Sequence, residues 1–279
     1  MPNWRSTRCG VQLHCQGQPA VFGLTSPKQG IKLRSTCCAC AREIFERPDV
    51  TATLPELHSP IFAAPDVYRP QEDSRLLIDT LERTTVVVGR RVVDLCTGSG
   101  IVAIAAAELG ADAVTAWDIS EDAVRCAQRN ARAAGVDVDV KLGMFSDALA
   151  EGPYDVVVSN PPYVPTPSTI DLTIPKGADP AWSWDGGEDG RLIIDPLCAM
   201  APALLADGGT MLLVQSEFSG VEQTVAALRS AGLTVDVAAW QLIPFGPVLH
   251  AQAPWLESRG LLPAGRRDEE LLVIRADKR

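Results

Sequence analysis

Short runs of β-branched residues alternate along most of this chain with stretches whose apolar positions recur every three or four residues. Residues 91–95, 113–119, 136–142, 154–159, 209–215, 233–242 and 271–275 read as strands. Residues 76–81, 101–109, 121–134, 195–205 and 220–231 read as helices, and a short helix is expected near 40–47. Ser120 stands where the third of the long helices needs an N-cap, and Gly135 where it needs a stop. Such alternation predicts an α/β fold: a doubly wound, mostly parallel sheet of seven strands with helices on both faces. No helix is read between the last two strands, so they are predicted to form an antiparallel hairpin at one edge. In sheets of this kind ligands sit outside the carboxyl ends of the strands. That rule directs attention to the residues after Leu95, Trp117, Leu142 and Val158.

Each of those positions carries a candidate. The first strand runs into Asp94-Leu95-Cys96-Thr97-Gly98-Ser99-Gly100 and then directly into a helix. Glycines there let the backbone approach a ligand closely, and a helix N-terminus favours electronegative groups. The spacing is not the G-x-G-x-x-G of dinucleotide sites, and a tight structural turn is the plain alternative. The second strand ends at Asp118-Ile119. An acid here can accept both ribose hydroxyls of a nucleoside, or serve only as a favourable charge before a helix. After the third strand comes Gly143-Met144-Phe145. The fourth strand ends in Ser159-Asn160-Pro161-Pro162-Tyr163. Two prolines stop both helix and ladder and hold the backbone extended. The Asn160 side-chain oxygen and the Pro161 carbonyl then form a pair of acceptors suited to an NH2 group, on which Tyr163 is placed to stack. The alternative for this segment is a proline turn with an Asx contact.

Composition narrows the picture. Hydrophobic residues make up 46% of the 279 and charged residues 22%, and the net charge is −10. An acidic chain is a poor general ligand for nucleic acid, which needs clustered Lys and Arg. No apolar run is long enough to span a membrane, and Met1-Pro2-Asn3-Trp4-Arg5 lacks the features of a secretory leader. Residues 1–60 differ from the rest. They hold seven Lys/Arg against four Asp/Glu and five of the eight cysteines, and show no sustained period. They are read as an N-terminal extension with little regular structure, and residues 61–279 as the functional domain, with a Pro- and Gly-rich insertion at about 244–267. Cys37-Cys38-Ala39-Cys40 contains one C-x-x-C, to which Cys9, His14 and Cys15 could add ligands. Their spacing suits no common zinc finger, so no metal is expected. Cys96, Cys126 and Cys198 lie in apolar segments and read as small buried residues. A reducing cytoplasm is the expected setting.

Taken together, the motifs resemble a known family. Asp94 to Gly100 is similar to methyltransferase motif I, Asp118 to its ribose acid, and Asn160 to Tyr163 to the NPPY of N-methyltransferases. Tyr68-Arg69-Pro70-Gln71-Glu72-Asp73-Ser74 with Leu76-Leu77 resembles the Y-x-P-x-E-D-[ST] signature of HemK-type enzymes. Trp184-Asp185-Gly186-Gly187-Glu188-Asp189-Gly190-Arg191 resembles their W-x-G-G-x-x-G-R segment. The resemblance covers about residues 66–240. It implies a Rossmann-like class I fold, S-adenosylmethionine as cofactor, and the eukaryotic- and archaeal-type branch that methylates the glutamine of the GGQ loop in translation release factors. It places Ser74, Asp94, Cys96, Gly98, Gly100, Asp118, Ile119, Met144 and Phe145 at the cofactor. Asn160, Pro161, Pro162 and Tyr163 are placed at the acceptor, with Asn160, Pro161 and Tyr163 in the transfer itself. Some relatives work with a small zinc-protein partner. Where this sequence has Gly143-Met144-Phe145 the family often has an acidic-Leu pair that meets adenine, and Asp147 is the nearest substitute.

Two rival readings remain at this level. The same acceptor pair would suit an exocyclic amine of a flipped nucleic-acid base. A cofactor-binding scaffold without turnover would need only the first two strand ends. None of His14, His58 or His250 is needed for catalysis in any of these readings.

Overall fold

The computed structural model describes residues 62–64, 66–167 and 180–279. The cysteine-rich segment, its C-x-x-C, the short helix near 40–47, His14 and His58 lie outside the described residues. The seven strands are β1 (Arg91–Leu95), β2 (Ala113–Asp118), β3 (Asp139–Leu142), β4 (Tyr154–Ser159), β5 (Leu205–Ser216), β6 (Thr234–Pro244) and β7 (Asp268–Asp277). They form one sheet in the order β3-β2-β1-β4-β5-β7-β6. The first five are parallel, while β7 runs antiparallel to both β5 and β6. Six helices cover it: α1 (Glu72–Thr84), α2 (Ile101–Glu108), α3 (Glu121–Ala134), α4 (Ile194–Leu204), α5 (Val221–Ser230) and α6 (Pro247–Ser258). This is the doubly wound α/β sheet that the alternating pattern predicts.

The central strands show why the pattern was readable. β1 and β4 are almost wholly buried, so they appear as continuous apolar runs. α3 is bounded by its own chemistry. Ser120 Oγ accepts the Ala123 N–H, and Gly135 adopts a left-handed φ of 71° at the other end. The Val136 N–H then turns back to the Ala131 carbonyl. Val136 therefore belongs to the helix stop rather than to a strand, which is why β3 begins at Asp139 and not at 136.

The edge differs from expectation in one way. The chain between β6 and β7 is not structureless, because α6 occupies much of the 244–267 insertion. It buries Leu249, Ala253 and Leu256 at helical spacing. Pro247 and Pro254 within it disguise the period. The antiparallel pairing of β6 with β7 at one edge holds even so, with β7 beside β5 and β6 outermost.

Strand ends are level where it matters. Leu95 pairs with Trp117 and with Ser159, and Asp118 pairs with Leu142, so the turns after the first four strands meet at one rim. Chain order reverses between β1 and β4, which opens a crevice there. Gly100 closes the turn into α2 with φ 82°, and a Cβ on it would stand 2.8 Å from Ala127 Cβ on α3. Gly100→Ala is therefore expected to cost about 1–3 kcal/mol through overpacking; a urea unfolding midpoint equal to that of the unsubstituted protein would contradict this.

Candidate active site

The crevice is a cavity of about 360 Å³ at that rim. Its wall includes Ser74, Asp94, Cys96, Gly98, Asp118, Ile119, Met144 and Phe145 on one side and Asn160, Pro161, Pro162 and Tyr163 on the other. Twelve of the thirteen residues picked from the sequence thus meet in one place. Gly100 does not, since its part is the packing of α2 against α3.

The turn after β1 is built around two carboxylates. Asp94 Oδ2 accepts the Thr97 hydroxyl at 2.6 Å and the Ala103 N–H at 3.1 Å, and so ties the turn onto the first residues of α2. Burial pushes the Asp94 carboxyl up to about 7 against those bonds. Asp118 accepts the Gly98 N–H on Oδ2 and the Ser120 N–H on Oδ1, each at 2.9 Å. Burial raises its pKa as well. Each Asp118 oxygen retains acceptor capacity, because a carboxylate oxygen carries two lone pairs. Asp118 is 7% exposed while Ile119 beside it is 64% exposed and lines the cavity, as does the exposed Met144. An ionisable acceptor flanked by the apolar surface of Ile119, Met144 and Phe145 could hold a nucleoside. Asp147 takes no part in that wall. Its Oδ2 accepts the Met144 N–H at 2.9 Å and fixes the turn instead.

The wall that carries Asn160 to Tyr163 is held by α1 and by the segment at 184–191. Asn160 Nδ2 donates to Ser74 Oγ at 3.3 Å, which leaves Oδ1 as the accepting end of the amide. Ser159 Oγ donates to the Leu95 carbonyl at 2.8 Å and locks the ends of β4 and β1 together. Beyond the prolines, the Val164 N–H donates to the Trp184 carbonyl and the Gly186 N–H to the Val164 carbonyl. A Cβ on Gly186 would lie 2.8 Å from the Tyr163 carbonyl carbon, and one on Gly190 would run into the Tyr163 oxygen. Both glycines allow this close approach. Arg191, 4% exposed, donates to the carbonyls of Ser219 and Gly220, to Thr224 Oγ1 and to Asp195. It anchors the whole segment to the start of α5. Arg191→Met should lower stability by about 3 kcal/mol, since two carbonyls lose a charged donor; chemical unfolding measures it.

Several wall residues were not picked from the sequence. Tyr68, Asp73, Trp117, Trp182, Trp184, Leu192 and Ile193 also line the cavity. Tyr68 and Asp73 belong to the Y-x-P-x-E-D signature, which was the available signal for them. Tyr163 is held in place, its hydroxyl donating to Asp73 Oδ2 at 3.0 Å. His250 packs edge-on against Phe245 and is not part of the cavity wall. Cys126 and Cys198 are buried, whereas Cys96 is half-buried on the wall. Among the described residues no group of three or more metal-binding side chains occurs, and no helix is long and apolar enough to cross a membrane.

The strand order with its antiparallel β7, and a ligand crevice between the ends of β1, β2 and β4, define a class I methyltransferase, a class that uses S-adenosylmethionine. The fold is shared with the E. cuniculi Mtq2 chain solved in its Trm112 complex, described as responsible for methylating the translation termination factor eRF1; the TM-score is 0.52 at 21% identity, covering 77% of this chain and 99% of that one. The ribosomal protein L11 methyltransferase (PrmA) family profile matches residues 73–161. The protein N5-glutamine methyltransferase assigned in Methanocaldococcus jannaschii is 34% identical over 184 residues, 65% of this chain and 88% of that protein. The release factor glutamine methyltransferase of Deinococcus radiodurans is 37% identical over 172 residues, and the match spans 61% of its length. The chain belongs to the HemK-type glutamine methyltransferase family.

Proposed function

We propose that this protein, acting through residues 61–279, transfers a methyl group from S-adenosylmethionine to the side-chain amide of a protein glutamine, in the GGQ loop of a translation release factor. The observation that carries the reading is the orientation of Asn160. Its amide nitrogen donates to Ser74, which leaves Oδ1 as an acceptor, and Asn160 and Pro161, whose carbonyl is the second acceptor, both line the cavity. A primary amide has two N–H groups to give, and two fixed acceptors hold its nitrogen in one plane.

S-adenosylmethionine, when bound, supplies a methyl group on a sulfonium whose departing sulfur keeps the bonding electron pair. Asp118 would hold its ribose, and Ile119, Met144 and Phe145 its base. Ser74 and the turn from Cys96 to Gly98 would line the rest of the site. An amide nitrogen is a weak nucleophile because its lone pair is delocalised. Asn160 and Pro161 hold it close and stabilise the positive charge that grows on it during attack. The apolar remainder of the wall, with Trp182 and Trp184, keeps water out. The E. cuniculi relative was solved as a complex; we take a small partner of that kind as an activator here, and a reducing cytoplasm as the setting.

The test is transfer of label from S-adenosylmethionine to purified release factor, beside total RNA and DNA, with and without such a partner. Label on the GGQ glutamine is the expected result. Label on nucleic acid would move the acceptor to a base amine, and cofactor binding without turnover on any of them would leave a scaffold.

A further inference from the structure

Two buried carboxyls and two phenols form a cluster that the transfer step described above leaves unused. Asp73, 3% exposed in the first turn of α1, receives the Tyr68 hydroxyl at 2.7 Å and the Tyr163 hydroxyl at 3.0 Å, both on Oδ2. The Ser74 N–H and hydroxyl go to its Oδ1. Glu269, second residue of β7, is 5% exposed, and its Oε2 is buried without a hydrogen-bond partner among the described residues. The cluster stands between two cavities. Asp73 and Tyr163 line both the first cavity and a second of about 560 Å³, whereas Glu269 lines only the second. Gly246, Pro247 and Val248 at the start of α6 also line that second cavity.

Methylation turns an NH2 group into NH–CH3 and leaves one proton to be placed. Asn160 Oδ1 and the Pro161 carbonyl are amide oxygens and too weakly basic to keep it. We propose that Tyr163, Asp73 and Glu269 carry this proton from the first cavity into the second, an inference that rests on the methyl-transfer reading. The N–H bond breaks with its electron pair remaining on nitrogen. The proton passes to Tyr163 Oη while the phenol's own proton passes to Asp73 Oδ2 along the existing bond. From there it crosses the second cavity, which is roomy enough for water, to Glu269 and out to solvent.

The electrostatics agree. Glu269 faces Ser216 of β5, Glu217 in the turn after it, Arg266 before β7, and Asp73. Burial pushes it up to about 7; Asp73 and Glu217 add to the rise, and Ser216 and Arg266 oppose it. Burial beside Asp73 and Glu269 drives the Tyr163 hydroxyl far above the usual phenol range, so it relays a proton rather than resting as an anion. A carboxyl accepts a proton only when ionised. Transfer should therefore rise with pH through about 7 and level off above it.

The experiment uses the full chain in two arms. In the first, single-turnover methyl transfer to purified release factor is followed against pH for the unsubstituted protein, Glu269→Gln and Glu269→Asp, with cofactor affinity measured by calorimetry. The relay predicts that Glu269→Gln binds cofactor normally, is about a hundredfold slower above neutral pH and loses the rise near 7, and that Glu269→Asp restores it in part. In the second, infrared titration of the cofactor-free protein should show protonated carboxyl absorption that disappears near 7, and Glu269→Gln should lose the part of it that does not belong to Asp94, whose carboxyl burial also raises to about 7. Equal rates and profiles in the unsubstituted protein and Glu269→Gln, or a Glu269 band that titrates in the ordinary carboxylate range, would overturn the relay alone. No transfer by the unsubstituted protein to any acceptor would overturn the functional reading, and the relay with it.

Discussion

Asn160→Ala is expected to bind S-adenosylmethionine with unchanged affinity and to transfer almost nothing, with a loss of about 10²–10⁴ in single-turnover rate. The reason lies in which side of the cavity Asn160 serves. The contacts assigned to the cofactor come mostly from the turns after β1, β2 and β3; of them only Ser74 on α1 touches Asn160, and Asp118 reaches Gly98 and Ser120 without its help. Only the paired acceptors are lost, so an arriving amide keeps one bond, to Pro161, and its nitrogen swings out of line. Asn160→Asp separates orientation from charge. It retains an oxygen but not the donor to Ser74, and should fall between the alanine variant and the unsubstituted protein. Calorimetry for cofactor and labelled transfer for turnover check both halves; turnover retained in Asn160→Ala would refute the proposed role of this pair.

Asp118→Ala is expected to do the reverse and weaken cofactor binding by at least about a hundredfold. Two hydrogen bonds from ribose hydroxyls to a carboxylate contribute about 1.5–3 kcal/mol each, and every 1.4 kcal/mol is a factor of ten in affinity. The same change frees the Gly98 and Ser120 N–H groups that Asp118 now accepts. Asp118→Asn distinguishes the two effects, because it keeps an accepting oxygen for one of these bonds while removing the charge. If loosening of the turn dominated, the asparagine variant would bind nearly normally; if the ribose bonds dominate, it too binds poorly. Equilibrium binding of S-adenosylmethionine, with thermal unfolding as a check on folding, decides.

Local chemistry explains what could be read ahead of the structure. Glycine turns, an acid at a strand end and Asn-Pro-Pro after another strand act where they stand, so Asp118 and Asn160 stood out as candidates from their places at strand ends, whereas the part of Asp94 came only with the family resemblance. The approach of Asp73 to Tyr163 and of Glu269 to both was not. These residues come from α1, the turn after β4 and β7, and only the level strand ends and the insertion of β7 beside β5 bring them together. α6 was hidden for a different reason: Pro247 and Pro254 argue against a helix locally, while burial of Leu249, Ala253 and Leu256 decides for one. The adenine side was ambiguous because Asp147 has the right chemistry but is used up in closing its own turn.

The packing of Gly186 and Gly190 against the Tyr163 backbone bears on how sequence change in this chain is to be interpreted. Neither glycine lines the transfer cavity, yet any side chain at either position must push Tyr163 and, with it, the Asp73 contact. For a geneticist cataloguing missense variants, the acceptor site is therefore wider than its own surface, and a silent-looking glycine some two dozen positions downstream belongs to the same complementation group as Asn160.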